Sequence, residues 1–278
     1  MARVKLLLTV AAYPLPSRSY DELVCTAGIT EEGTWIRLYP VPLSFLTDLK
    51  GSGQIKIIKY NWIELDLHKR TDDFRPESHS PVDYKFSDLK ILGRIDTKRN
   101  WQGRKQYCLK NVYTNLEQLL NDSRDPKNIS LATFKPAEIV SFDIEPDERD
   151  WKPLWKDIRK QMDMFSETEG KKPEEIIPKV PYKFYYVFTD DAGQKSRLMI
   201  EDWEIGALYW NCLRNAEGNE NVAVQKVREK YFDDFVMTKD LYLFLGTTMQ
   251  WHRRRATNPF VIVGVFYPKK EEQTTLDL

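Results

Sequence analysis

The residues best equipped for chemistry in this sequence are cations set beside aromatic rings. Trp251-His252-Arg253-Arg254-Arg255 places an indole next to three consecutive guanidinium groups. Adjacent arginines are costly to bury, so they face solvent or a bound anion. Their chemistry is phosphate neutralisation, with Trp251 offering a face on which a base can stack. The stretch 94–110, RIDTKRNWQGRKQYCLK, repeats the combination, with six basic residues and one acidic among seventeen. Asn100-Trp-Gln-Gly103 reads as a hairpin tip presenting Trp101, flanked by Arg99, Arg104 and Lys105. A third such face lies in TWIRLYPVP, where strand period two puts Trp35, Arg37 and Tyr39 on one side and Ile36 and Leu38 on the other. Each cluster has a plainer reading: a solvated turn, a hairpin whose Trp folds back onto the body, a strand whose rings fill a core while Arg37 meets a carboxylate.

Catalytic constellations are weaker. Glu64 and Asp66 share a strand face, and Asp190, Asp191, Asp202 and Glu204 add carboxylates of the kind that metal-dependent phosphodiesterases gather. None of these spacings is diagnostic. Cys25 with His79 could pair nucleophile and base, although a Cys inside an apolar strand is more often core. Cys25, Cys108 and Cys212 form no CxxC pair, and His68, His79 and His252 have no ligand spacing. Neither a disulfide framework nor a zinc site is expected, and no metal, cofactor or catalytic residue is assigned. Phosphate-loop, dinucleotide and nucleophile-elbow fingerprints do not occur. Asp73, Arg75, Glu77, Ser78 and His79 crowd into seven residues and read as a charge-paired loop.

These clusters need a scaffold. The chain has 278 residues, with 42 basic and 42 acidic side chains, 41% hydrophobic and 30% charged residues. That suits one large domain or two small ones and excludes a histone-like or disordered chain. The N-terminus MARVKLLLTVAAY reads as a first strand rather than a leader, and no stretch approaches a membrane span. A cytoplasmic protein is expected. Further strands are predicted over 23–29, 34–42, 55–69, 139–144, 182–188, 196–200, 241–247 and 260–267. Helices are predicted after the capping box Thr114–Glu117, at Trp155, Ile158, Met162 and Phe165, from about Asp202, and over 219–237. The pattern divides into an N-terminal barrel-like domain (1–148), a helix with a Pro/Lys/Glu-rich linker (149–181), a C-terminal β-rich domain with two helices (182–270) and a flexible tail (271–278).

At YPLPSRSYDELVCTAGI, WIRLYPVP, KYNWIELDL and DFRPES in the first half, and at DWEIGALYWN and NPFVIVGVFYP in the second, the chain resembles an uncharacterised bacterial family with a dual OB-fold domain. The resemblance implies a β-rich α+β chain of two tandem small OB-like barrels, with a helical linker and a helical insertion, and a role in nucleic-acid biology. It brings no catalytic residues. Relatives with a Cys/His hairpin before DWE have no counterpart here, because FTDDAGQKSRLMIEDWE contains neither residue.

The reading that follows is a non-catalytic nucleic-acid-binding protein preferring single-stranded DNA or RNA, an accessory subunit of a DNA-processing or phage-defence system. Its binding face would join Arg37, Tyr39, Arg99, Trp101, Arg104, Lys105, Trp251, Arg253, Arg254 and Arg255. The alternatives are a metal-dependent nuclease or nucleobase-modifying enzyme, and a subunit that meets a protein encoded nearby. The tail residues Gln273, Leu276 and Leu278 match the short peptide that docks on the replication sliding clamp, a frayed tail being the plainer account.

Overall fold

The structure, a computed structural model, describes residues 2–16, 22–43, 45, 46, 49, 53, 57–152 and 178–271. The expected helix over Trp155–Phe165, most of its linker and the tail peptide Gln273, Leu276 and Leu278 lie outside the described residues.

The first half is built from β1 (Ala2–Ala11), β2 (Leu15–Pro16), β3 (Glu22–Leu23), β4 (Thr26–Ile29), β5 (Trp35–Leu38), β6 (Asn61–Lys69), β7 (Ser78–Pro81) and β8 (Lys90–Arg94). Five of these strands close a barrel in the order β1-β4-β5-β7-β6, with β6 returning to β1 through pairs such as Leu6–Ile63, and β8 extending β6. All pairings are antiparallel except β5 with β7. Period-two alternation dictates what goes inside. In β6, Ile63, Leu65 and Leu67 are buried while Glu64, Asp66 and His68 are partly open. With Leu6, Leu8, Ile36 and Leu38 they fill the barrel.

The second half begins with α1 (Lys98–Cys108), β9 (Val112–Tyr113), α2 (Leu116–Asp122), β10 (Leu131–Phe134) and β11 (Glu138–Pro146). It continues with β12 (Tyr182–Thr189), β13 (Lys195–Met199), α3 (Trp203–Asn215), α4 (Glu220–Arg228), a π-helical stretch Glu229–Asp234 and α5 (Phe235–Thr238). It ends with β14 (Tyr242–Thr247), α6 (Met249–Arg253) and β15 (Phe260–Phe266). A second barrel is not formed among the described residues. The strands make an open sheet β15-β14-β10-β9 and a meander β11-β12-β13, joined by a single bridge, Ile200–Ile262. Neither β9, only two residues long, nor β11 finds the partner that closure requires. Phe134, Phe188, Leu198, Leu243 and Ile262 pack with Tyr209, Val227 and Tyr231 of the helical segments into its core.

The expected boundary at 148 would separate strands that pair. β10 lies against β14, and β11 against β12. The second half therefore starts where the barrel ends, around α1. A third core lies between the halves, where Val10, Ala27, Ile29 and Trp35 meet Cys108, Leu131, Phe244, Val263 and Phe266. It exists because both faces of β5 are apolar enough to bury: Ile36 and Leu38 point into the barrel, Trp35 and Arg37 out of it, and all four are buried.

Candidate nucleic-acid interface and the pocket between the halves

The segment expected to be an exposed hairpin is a left-handed turn followed by a helix. Arg99, Asn100 and Trp101 take φ of 48°, 51° and 64° before α1 continues right-handed. Such backbone is costly for side-chain-bearing residues. It is held by Asn100, whose amide donates to the Lys269 carbonyl at 3.0 Å and accepts from the Lys269 amide at 2.7 Å. The turn folds Trp101 inward, against Phe266 at 5.1 Å, Tyr267 at 4.8 Å and Tyr60 at 6.0 Å. Arg104 is buried between rings, 3.7 Å over Tyr60 and 4.7 Å over Trp101, and donates to the Ile95 carbonyl at 3.0 and 3.2 Å. Lys105 pairs with Glu271 at 2.8 Å, and Arg99 alone of the four is exposed. Trp101, Arg104 and Lys105 are thus engaged within the molecule.

The Trp251 cluster differs. Thr248 caps α6 by accepting from the Trp251 amide. His252 is buried behind it, its Nε2 donating to the Ser123 carbonyl at 2.5 Å, which leaves Nδ1 to accept from the Thr247 hydroxyl at 3.0 Å. Burial holds this imidazole below its usual value, so it is neutral at pH 7 and acts as a peg for the turn. Phe74 packs edge-on against its ring at 4.9 Å. Outside the peg, Trp251 is 51% exposed and Phe74 42%. Arg253, Arg254 and Arg255 are exposed, and no described carboxylate forms an ion pair with any of them. This turn connects β14 to β15 at one end, whereas Trp101 packs at the other, where Tyr242 faces Phe266. Six strand residues separate the two ends, about 20 Å. The basic clusters at 99–105 and 251–255 therefore do not merge into one track.

Arg37 corrects the sequence reading in both its forms. It is not an exposed contact, and no carboxylate among the described residues forms an ion pair with it. Buried at 7% exposure, its Nη1 donates to the Ser130 hydroxyl at 2.8 Å, and its Nη2 to the Ser130 and Thr247 carbonyls at 3.2 and 3.4 Å. Burial pushes its pKa down to about 10, and the nearby Arg75 cation adds to that. Arg75 does have its carboxylate, bonding Asp73 through Nε at 2.9 Å and Nη2 at 2.6 Å, and it donates to the Thr247 carbonyl at 2.8 Å. Glu77 completes the stitching by accepting from the Ser130 amide and hydroxyl at 2.9 and 2.6 Å. The crowded 73–79 loop is thus charge-paired, and it fastens the barrel to the start of β10 and the end of β14. Tyr39 is half-buried beneath the Arg70 guanidinium, 5.0 Å away.

Beside this stitching lies a pocket of about 460 Å³. Its floor is the outer face of the barrel at Val10, Cys25, Ala27, Arg37 and Tyr39; its other walls include Leu131, Met199, Glu201, Ile205 and Val263. Thr248 and Met249, at the start of α6, reach its rim. Two contacts fix one corner: the Tyr13 amide donates to the Glu201 carbonyl at 2.9 Å, and a Cβ on Gly206 would stand 2.4 Å from the Tyr13 ring. Only glycine permits that approach. Nearby, Lys59 meets Asp202 at 2.6 Å in a buried pair that also caps α3. Burial raises the Asp202 carboxyl against the pull of Lys59. The pocket escapes sequence reading because its residues are scattered from 10 to 263. The available signal was Arg37 itself, a cation between two rings on a strand with two apolar faces.

The carboxylates offered for a metal are engaged or apart. Glu64 and Asp66 lie 3.5 and 3.6 Å from Arg3; Asp190 accepts from the Leu116 and Gln194 amides; Asp191 accepts from Thr114 and Asn115. Among the described residues no group of three His, Cys, Asp or Glu is placed to hold a metal ion. No helix among them is long and apolar enough to cross a membrane.

Fold and site together define a class: a β-rich protein in which a closed five-stranded barrel packs on an open mixed sheet, with a ligand-sized pocket at the seam. The chain belongs to the family described as a domain of unknown function, DUF8757, which matches residues 95–278. Residues 2–110 match a second such description, DUF8758. The two overlap over residues 95–110, on α1 and the residues just after β8, where the barrel hands over to the second half. No curated protein matches the chain in sequence. A solved structure of a murine DNA binding protein bound with double-stranded DNA is similar over 99% of this chain and 100% of that one, with 10% identity and a TM-score of 0.31. Figures of that size do not establish a shared fold.

Proposed function

We propose that this protein binds nucleic acid without cleaving it, taking single strands in preference to duplex on the turn that carries Trp251, Arg253, Arg254 and Arg255. The observation that carries this reading is that three consecutive guanidinium groups are exposed and without described carboxylate partners, beside an exposed indole, on a turn pegged by a buried neutral histidine. Cations that no described carboxylate neutralises are available to phosphates, Arg254 meeting the neighbouring Trp251 ring, and an exposed ring is free to stack on an unpaired base. The barrel supports the same reading. Oligonucleotide-binding barrels take their ligands on the second and third strands and on the loops after the first and fourth. Here those are β4, β5 and the segments 12–25 and 70–77, which supply much of the pocket lining. An accessory role in a DNA-processing or phage-defence system, with a partner encoded nearby or the sliding clamp, belongs to the same proposal and rests on sequence alone.

Fluorescence anisotropy with a labelled single-stranded oligonucleotide, titrated over salt, tests it. The wild type is expected to bind with a linear dependence of log K on log salt and to leave the oligonucleotide intact. R253A/R254A/R255A is expected to weaken binding at least tenfold and to flatten the slope by about 2, at roughly 0.7 for each phosphate no longer neutralised. An unchanged slope in the triple variant overturns the assignment of the site.

A further inference from the structure

The pocket has features that a phosphate-binding surface does not explain. Its lining is mostly apolar, from Val10, Ala27, Leu131, Ile205, Val261 and Val263, and its volume of about 460 Å³ lies within the range of small-molecule sites. Into these walls come two polar groups with unmet demand. Arg37 has five N–H groups, and its bonds to Ser130 and Thr247 use three of them. The Glu201 carboxyl has no hydrogen-bond or ion-pair partner among the described residues, while its backbone is pinned by Tyr13 and Ile262 at 2.9 and 2.8 Å. A ligand that pairs with both groups would satisfy them where they open on the pocket. Burial raises the Glu201 carboxyl above its usual value, the mark of a group with nothing to compensate its desolvation. Burial pushes the Cys25 thiol up, with the Arg37 cation pulling it down and the Glu201 carboxyl pushing it further up. That thiol is deep in the protein yet exposed, because it opens on the pocket.

We propose that the pocket between the halves is a binding site for one nucleobase, held among the apolar walls with its polar edge toward the Arg37 guanidinium and the Glu201 carboxyl. A base edge presents acceptors and donors side by side. A guanidinium donates to ring nitrogens and carbonyl oxygens, and a carboxylate accepts from an exocyclic amine. An aliphatic chain would satisfy the walls and strand both polar groups. A simple anion would meet Arg37 and oppose Glu201. The base comes either from a free nucleoside monophosphate or from a strand whose phosphates lie on the α6 turn at the rim. Only the second source rests on the nucleic-acid reading above.

Cys25 gives the readout. In the full-length native protein, iodoacetamide is expected to alkylate Cys25, with Cys108 inert because it is 1% exposed and Cys212 as an internal control. Site-resolved mass spectrometry follows the rates in the presence of AMP, GMP, CMP or UMP, of a short oligodeoxynucleotide, or of L-phenylalanine, a zwitterion that could also meet one cation and one carboxyl. At least one nucleotide or the oligonucleotide is expected to slow Cys25 at least fivefold and leave Cys212 unchanged. E201Q, which keeps the shape and loses the charge, is expected to reduce that protection or change which base protects. Protection by free nucleotides that persists in R253A/R254A/R255A identifies a mononucleotide ligand. Protection by the oligonucleotide alone, lost in that variant, identifies a base delivered by a strand. The proposal is overturned if Cys25 is inert in the native protein but reactive in urea, if phenylalanine protects and no nucleotide does, or if nothing protects. Salt-dependent oligonucleotide binding with no protection of Cys25 sinks the pocket and leaves the surface reading standing; protection without oligonucleotide binding does the reverse.

Discussion

Asp73 and Arg75 set the acid limit of the seam between the halves. Burial alone would raise the Asp73 carboxyl, but the bonds from Arg75 and from the Ser78 hydroxyl at 2.7 Å outweigh it and hold the group well below the usual carboxylate range. A carboxyl depressed below its unfolded value of about 3.9 contributes stability above that pH and loses it as pH falls through the native value. Asp73→Asn leaves Arg75 buried without its counter-charge and is expected to cost about 3–5 kcal/mol at pH 7. It is also expected to shrink the stability difference between pH 7 and pH 3, and urea unfolding at the two pH values checks both effects. At this scale the sequence was readable where partners are neighbours, as in Asp73-Phe-Arg75. It was unreadable where they are remote. Arg37 finds Ser130 and Thr247, and Glu201 joins the wall containing Cys25, through contacts that no local spacing encodes.

At the level of elements, period two placed β1, β4, β5, β6, β11 and β12 to β15 but missed β7, β8 and β10, which are short and carry little alternation, and the alternation of Trp35, Arg37 and Tyr39 against Ile36 and Leu38 holds. The aromatic-basic face was expected to meet nucleic acid; Trp35 and Arg37 are instead buried against the other half of the same chain. The 94–110 segment shows the limit of turn chemistry. Asn and Gly do mark a turn there, yet Gly103 sits within α1, where a Cβ would come 2.9 Å from the Ile95 side chain. Glycine is present for close packing rather than for a hairpin tip, a distinction that needs Ile95 in view. Trp251–Arg255, whose plainer reading was a solvated turn, is the end of the short helix α6 and its left-handed exit at Arg255, φ 53°. Trp101→Ala separates these two roles for aromatic-basic segments. Because the indole packs on Phe266 and Tyr267, its loss is expected to lower stability on the order of 2 kcal/mol, less than for a fully buried ring. Oligonucleotide affinity should change less than twofold. A large affinity loss in a variant of unchanged melting temperature would return Trp101 to the binding face.

For the whole molecule, the halves are joined too extensively to be independent domains. The shared core of Val10, Ala27, Trp35, Leu131, Phe244 and Val263 belongs to neither alone. Arg37, Arg75 and Glu77 bond across the seam to Ser130 and Thr247, and Lys59 of the barrel reaches Asp202 at the start of α3, both groups buried. An interface made of core side chains and buried ion pairs couples the unfolding of the parts it joins, because opening either half strands charges and apolar surface in the other. The full chain is therefore expected to unfold in one calorimetric transition, with van't Hoff and calorimetric enthalpies in agreement. Lys59→Met, which leaves the Asp202 carboxyl buried without its cation, tests the coupling directly. Hydrogen exchange in that variant is expected to lose protection in β6, where the substitution lies close by, and to a similar extent in α3 and β12 on the far side of the seam. Loss confined to the barrel, or two separate transitions in the wild type, would mean that the seam is a contact between autonomous domains. The pocket it encloses would then be free to open and close without unfolding either one.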